Sequence, residues 1–152
     1  MPDKIDQIDD TNIQSTPELS VVVPVHNEAG NIEPLMAEVI AALDGIELFE
    51  IIYIDDCSRD GTPEKLVALN RKIESLRVLT HEKQSGQSAA IRTGVMAARG
   101  RLIATLDGDG QNDPADIPNL YDELINNQAA DPWLVVAGYR KKRKDTWLKR
   151  IS

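Results

Sequence analysis

The stretch Leu102-Ile103-Ala104-Thr105-Leu106-Asp107-Gly108-Asp109-Gly110-Gln111 joins a short apolar run to an acidic, glycine-rich end. An apolar run of this length bounded by glycines reads as a buried strand. Side chains one residue apart leave a strand on opposite faces. Gly108 and Gly110 loosen the backbone and predict a turn that brings Asp107 and Asp109 together. Two converging carboxylates repel each other unless a cation lies between them. Mg²⁺ is usually held by one or two carboxylates together with substrate phosphates, and this turn has the side chains for that. The same run also reads as a solvated turn, for which Asp, Gly and Asn are ordinary residues. A calcium loop of the EF-hand kind is excluded. Asn112 stands where its glycine belongs, and Pro118 where its bidentate glutamate belongs.

Upstream, strands and helices alternate. Leu19–Val25 is a β-branched run buried on both faces, and Pro24 should loosen its pairing. His26-Asn27-Glu28-Ala29-Gly30-Asn31 follows as a loop. Asn31 or Gly30 caps a helix to about Leu43, with Leu35, Met36, Val39, Ile40 and Leu43 on its inner stripe. Phe49–Ile54 is a second strand, ending in Asp55-Asp56-Cys57-Ser58-Arg59-Asp60-Gly61-Thr62. Thr62 before Pro63 supplies a capping hydroxyl and a first-turn proline, and the helix carries Leu66, Val67, Leu69, Asn70 and Ile73. Arg77–Thr80 is a third strand, and Gln87–Ala98 a small-residue helix that can approach the sheet closely. After the Asp107 turn, Asp113-Pro114 or Asp116 starts a further helix with Ile117, Leu120, Leu124 and Ile125 inward. Trp133–Ala137 reads as a fifth strand.

This alternation predicts an α/β fold: a largely parallel sheet with helices on both faces. Such sheets bind ligands outside the carboxyl ends of their strands, at a switch in strand order. Four polar loops fall at that edge, after strands one to four. No glycine-rich dinucleotide fingerprint or P-loop occurs, so an acidic site would meet a nucleoside diphosphate through a metal bridge. Asp55, Asp56 and Glu28 could hydrogen-bond a base or ribose, or serve as helix-start and loop acids. His26 and His81 read first as polar loop residues.

Composition sets the frame. The chain has 152 residues, 41% hydrophobic and 28% charged, enough for one domain with a real core. No apolar run reaches membrane-span length, and the lone Cys57 excludes a disulfide framework and fits a reducing cytosol. The net charge of −8 is uneven: residues 139–152 carry +6, leaving −14 on the other 138. An acidic body argues against nucleic acid as a partner, while the basic end meets something anionic. Residues 1–18 are polar, acidic and without periodicity, a disordered leader.

Three motifs, in order, resemble the family 2 glycosyltransferases of GT-A fold: Val21-Val22-Val23-Pro24-Val25-His26-Asn27-Glu28, Asp55–Thr62, and Leu106–Pro114. The similarity runs from Leu19 to the end and is greatest to the dolichol-phosphate mannosyltransferase-like branch, with its bacterial polyprenyl-phosphate sugar transferases. The resemblance implies a Rossmann-like nucleotide-diphospho-sugar transferase fold. It also implies that Pro24, Glu28 and Asp56, with Asp55 beside them, surround the nucleotide base and ribose. Asp107, Asp109 and Gln111 match a metal-binding D-x-D-x-Q for Mg²⁺ or Mn²⁺, and Gly86, Ala89 and Gly94 a small-residue segment beside the donor. Arg140 matches a basic residue that meets the acceptor phosphate, as Arg150 does less closely. Gly110 replaces a leucine usual in the family.

The expectation is therefore a metal-dependent, inverting glycosyltransferase. It moves a sugar from GDP-mannose or a UDP-sugar to a polyprenyl or dolichyl phosphate. Residues 19–138 form the donor-binding domain, and 139–152 begin an acceptor- or membrane-proximal part. The basic segment places the chain in the cytoplasm, against the anionic inner face of a membrane. Family members run longer, so the chain is expected to be C-terminally incomplete. The competing expectations are a non-catalytic nucleotide-sugar-binding fragment, a family 2 transferase with another acceptor, and an α/β interaction domain whose acidic loops are only turns.

Overall fold

The computed structural model describes residues 16–127, 130–131 and 135–138. The elements in chain order are β1 (Leu19–Val25), α1 (Ile32–Ala42), β2 (Phe49–Asp55), α2 (Thr62–Asn70), β3 (Leu76–Thr80), α3 (Gln87–Ala97) and β4 (Leu102–Thr105). A 3-10 turn (Pro114–Asp116) then leads into α4 (Ile117–Asn127). The strands are all parallel and lie in the order β3-β2-β1-β4. The chain winds outward from β1 to β3, then crosses back to set β4 on the other side of β1. The switch in strand order lies between β1 and β4.

Alternation along β1 divides the core. Val21, Val23 and Val25 join Ile51 and Tyr53 under α1, α2 and α4. Val22 joins Ile52, Ile54 and Ala90 under α3, which covers the other face. The α3 contact is close because a Cβ on Gly94 would run into Val22 Cγ1 and lie 2.6 Å from Ile54 Cδ1. Helices thus flank both faces, as the alternation predicts.

Several local expectations change. On α1 the inner stripe is Ile32, Leu35, Met36, Val39 and Leu43, whereas Ile40, one step round from Val39, is 36% exposed. On α2, Leu66 is buried and Val67, a step round, is 50% exposed. Thr62 does not cap α2; Gly61 occupies that position and Thr62 is the first helical residue. Asp113 does cap, its side chain accepting from Ala115 N at 3.0 Å. Of the expected fifth strand, Trp133 and Leu134 lie outside the described residues. Val135–Ala137 form no strand, and Val135 is 85% exposed, because no neighbouring ladder reaches them. Of the acidic leader, residues 1–15 lie outside the described residues. Pro17 and Glu18 are already tied in, accepting from Arg101 N and Leu102 N at 3.2 and 2.9 Å.

At the amino edge of the sheet a buried carboxylate ties four segments together. Glu50, 4% exposed, accepts from Ser20 Oγ (2.6 Å), Arg99 N (2.6 Å) and Arg77 Nη1 (2.7 Å). The same Arg77 nitrogen donates to Ala97 O at the end of α3 (2.9 Å). Burial by itself raises this carboxyl, but the Ser20, Arg99 and Arg77 donors outweigh it and hold the pKa below its usual 4.5. A depressed carboxyl adds stability above its unfolded-state pKa and loses it as pH falls through the folded-state value.

Glu50→Gln should therefore cost about 1.5–3 kcal/mol in urea denaturation at pH 7, the scale of a hydrogen bond to a charged group. The gap to the parent chain should close as the pH is taken below 4.

Candidate functional site

The cleft opens where β1 loses one partner. Val22 O still accepts from Leu106 N at 3.0 Å, so alternation turns the main-chain groups of Pro24 toward β4 as well. Pro24 has no N–H to give, and the β1–β4 ladder stops at Val22 and Thr105. On the β2 side the register continues through Pro24 to Val25 and Asp55. The loosening expected at Pro24 is thus one-sided, and it faces the switch point.

The chain leaving β4 turns into this gap. Gly108 passes so close to the end of β1 that a Cβ there would collide with Val25 Cγ1 and lie 2.6 Å from Pro24 O. Gly110 completes the turn at φ +73°, a left-handed conformation that favours glycine. Asp107 is half-buried and held through both oxygens. Oδ1 accepts from Gln87 Nε2 at 2.6 Å, and Oδ2 from Asn112 Nδ2 at 3.1 Å. Asp109 is exposed, and its Oδ1 accepts from Gln111 N at 2.9 Å.

The loops after β1 and β2 are latched to each other. Asn27 N donates to Ser58 Oγ (2.8 Å) and Arg59 N to Asn27 Oδ1 (2.8 Å). Glu28 N donates to Thr62 Oγ1 (2.9 Å) and Ala29 N to Asp60 Oδ2 (3.1 Å). The Thr62 hydroxyl is spent on this latch, which is why it does not cap α2. Asn31, at the head of α1, likewise sends its amide elsewhere, to Glu28 Oε2 at 2.7 Å and Asp109 O at 3.4 Å. That amide links the Glu28 loop to the acidic turn.

Asp56 holds the loop after β3. It is 3% exposed. Its Oδ1 accepts from Ser85 N (2.8 Å) and His81 Nδ1 (2.7 Å), and its Oδ2 from Gly86 N (2.7 Å). Burial raises this carboxyl, but the His81, Ser85 and Gly86 donors outweigh it and set the pKa below the usual carboxylate range. His26 Nδ1 donates to Asp56 O at 2.8 Å, so both histidines serve this one residue. Asp55 is 1% exposed. Its Oδ1 accepts from Ser58 N at 3.0 Å, and its Oδ2 is buried without a hydrogen-bond partner among the described residues. Asp55 and Asp56 therefore lie beneath the cleft, with Asp56 committed to the protein's own loops. Pro24, Glu28, Gly86, Asp107, Asp109 and Gln111 come together at the carboxyl edge. Arg140 lies outside the described residues.

A divalent ion fits this donor set. Asp107 and Asp109 supply hard oxygen ligands from one turn, and the donors on Asp107 are neutral amides that leave its charge intact. No group of three or more His, Cys, Asp or Glu side chains that could hold a metal occurs among the described residues. Such an ion would be held here by one or two carboxylates completed by phosphate oxygens, the usual arrangement for Mg²⁺. The cleft is an open edge. A cavity of about 560 Å³ lies between α3 and the loop after β3, lined by His81, Ser85, Arg92, Thr93 and Met96, and contains neither turn carboxylate.

The sequence reading missed the residues that latch the loops, Asn27 and Asp60, and those that hold the acids, Asn31, Gln87 and Asn112. The signal present for them was side-chain amides and hydroxyls at element ends beside acidic turns, which by itself does not name partners.

Comparison with known proteins gives the family and the fold. The family described as glycosyl transferase family 2 matches residues 20–152. The dodecaprenyl-phosphate galacturonate synthase of Rhizobium johnstonii is 42% identical over 139 residues, covering 88% of this chain and 39% of that protein. The undecaprenyl-phosphate 4-deoxy-4-formamido-L-arabinose transferase of Aeromonas hydrophila is 36% identical over 137 residues, covering 88% and 40%. The chain thus spans about two fifths of the length of these curated relatives. Among solved structures, a mannosyltransferase of Pyrobaculum calidifontis in complex with GDP-Man and Mn²⁺ superposes with a TM-score of 0.63 at 26% identity, covering 71% of this chain and 32% of that one. TarS of S. aureus, at 22% identity and a TM-score of 0.57, covering 73% and 33%, shares the fold.

Asp56→Ala should strip Ser85 N, Gly86 N and His81 of their shared acceptor. The expected cost is about 3 kcal/mol, the scale of breaking a buried, hydrogen-bonded charge. Amide exchange at Ser85 and Gly86 should quicken beyond that of β1, which hydrogen-exchange mass spectrometry or NMR would read.

Proposed function

The chain belongs to glycosyl transferase family 2, and from that premise we propose that it forms the donor-binding part of a metal-dependent, inverting transferase. It takes a sugar from a nucleoside-diphosphate donor, GDP-mannose or a UDP-sugar, and delivers it to a polyprenyl phosphate. The observation that carries the reading is the placement of Asp107 and Asp109 at the β1–β4 switch point, across from the latched loops of Glu28 and Asp56. The names of the relatives support the acceptor class, since both act on a prenyl phosphate. The Pyrobaculum enzyme supports the donor and the ion, having been solved with GDP-Man and Mn²⁺.

In this reading Pro24 and Glu28 border the base and ribose, and the buried Asp55 and Asp56 fix the loops around them. Gly86 precedes the first residue of α3, whose first-turn N–H groups favour an anion at that edge. Asp107, Asp109 and Gln111 would hold Mg²⁺ or Mn²⁺, which would supply charge neutralisation for the departing diphosphate. A phosphate acceptor is already an anionic nucleophile near neutral pH. The site then needs no strong general base, which accords with histidines occupied in structure. Arg140 would meet the acceptor phosphate by charge-assisted hydrogen bonds. The basic segment 139–152 would rest on the anionic cytoplasmic face of a membrane, at about 1 kcal/mol per basic residue. No helix of the described residues is long and apolar enough to cross that membrane.

Calorimetric titration of GDP, UDP and their sugar forms, with and without Mn²⁺, tests the site. Binding should require Mn²⁺ for full strength and fall at least about tenfold in Asp109→Ala, the scale on which metal sites respond to altered surroundings. Binding that ignores both Mn²⁺ and Asp109 would overturn the role given to the turn. Turnover with a short polyprenyl phosphate then separates transfer from donor binding alone.

A further inference from the structure

We propose that Gln87 is a positioning residue for Asp107, steadied by Asn112 and anchored through Asp56; this rests on the reading of Asp107 as a metal ligand. Gln87 is the first residue of α3, and its carboxamide spans to the turn after β4, where Nε2 lies 2.6 Å from Asp107 Oδ1. Asn112 Nδ2 meets the other oxygen at 3.1 Å. Together they fix the plane of the carboxylate from both sides.

The chemistry of these donors matters. An ionised carboxylate has room for about four hydrogen bonds or ligands, and the two amides occupy about half of them. A lysine or arginine in the same place would hold the oxygens as well but would compete with a cation for them. Neutral amides hold the group and leave its charge available. The paired grip therefore suits a carboxylate that must meet a positive ion in one orientation.

Gln87 is itself held. The two residues before it, Ser85 and Gly86, donate their N–H groups to Asp56 at 2.8 and 2.7 Å. Gly86 O then accepts from Ala90 N at 3.0 Å and opens the first turn of α3. A buried acid at the end of β2 thus sets the start of α3, and the start of α3 sets the acid at the end of β4, on the far side of β1. Metal-ligating carboxylates commonly depend on such hydrogen-bonded partners, whose loss weakens metal affinity about 10–100-fold.

The test follows free Mn²⁺ by electron paramagnetic resonance as the chain is titrated, alone and with saturating GDP or UDP. Gln87→Leu keeps the bulk and loses the donor. It should weaken Mn²⁺ uptake about tenfold or more, while the thermal midpoint and the Mn²⁺-free nucleotide affinity stay near those of the parent. Asn112→Ala, which removes the longer contact, should weaken uptake less; it also keeps the test standing if Gln87→Leu does not fold. Uptake that Asp109→Ala abolishes but Gln87→Leu and Asn112→Ala leave unchanged would overturn the positioning role alone. Uptake indifferent to Asp109→Ala would remove the metal reading beneath it. A parallel loss of Mn²⁺-free nucleotide binding in Gln87→Leu would show a general loop disturbance and also overturn the proposal.

Discussion

Two buried carboxylates pin α3, and the shape of the site depends on both. Among the described residues α3 alone covers its face of the sheet, and it does so through small residues, Ala90 and Gly94. Small side chains bring the helix close but bury little apolar area, so they grip weakly. The ends supply what the face lacks. Glu50 holds the chain leaving α3 through Arg99 N and, through Arg77, the carbonyl of Ala97. Asp56 holds the chain entering it through Ser85 N and Gly86 N. In each case burial opposes the charge and several donors reverse that cost, which makes these acids expensive to unpair.

β1 supplies the second constraint. As a central strand it is fixed from both sides, so its neighbours can diverge only where it stops pairing. Pro24 decides where that is, and only toward β4. The space thus opened is filled by a turn that needs glycine at Gly108 for close approach and at Gly110 for its left-handed backbone. An acidic turn elsewhere on the surface would be a solvated loop. Here it faces the loops of Glu28 and Asp56 across the switch point, and Asn31 ties it to the first of them.

This division explains what could be read from the sequence. The four strands and their intervening helices were legible because each is a short apolar period bounded by glycine, proline or capping residues. The edge carrying the site followed from parallel topology, and the acids from their place after each strand. The face of α1 was misjudged at Ile40, since a helical period alone tolerates one step of rotation that packing does not. The destinations of Thr62 and Asn31 were not legible at all. Both look like helix caps locally, yet each meets a loop about thirty residues away or more. The burial of Asp56 was not legible either, because a buried acid and an exposed one have the same letter; only its three protein donors show it.

The amide-rich surroundings of the acids then acquire a common logic. Where an acid must stay charged and fixed inside the protein, as at Glu50 and Asp56, arginine, histidine and backbone N–H groups surround it. Where an acid faces the open cleft, as at Asp107, the donors are the neutral side chains of Gln87 and Asn112. The first arrangement neutralises charge to hold a fold together. The second leaves charge unspent at the carboxyl edge, where open parallel sheets bind ligands. Glu50 and Asp56 are thus compensated by charged or backbone donors, whereas Asp107 meets only neutral amides among its side-chain partners, and the proposed metal role of the turn draws on that contrast.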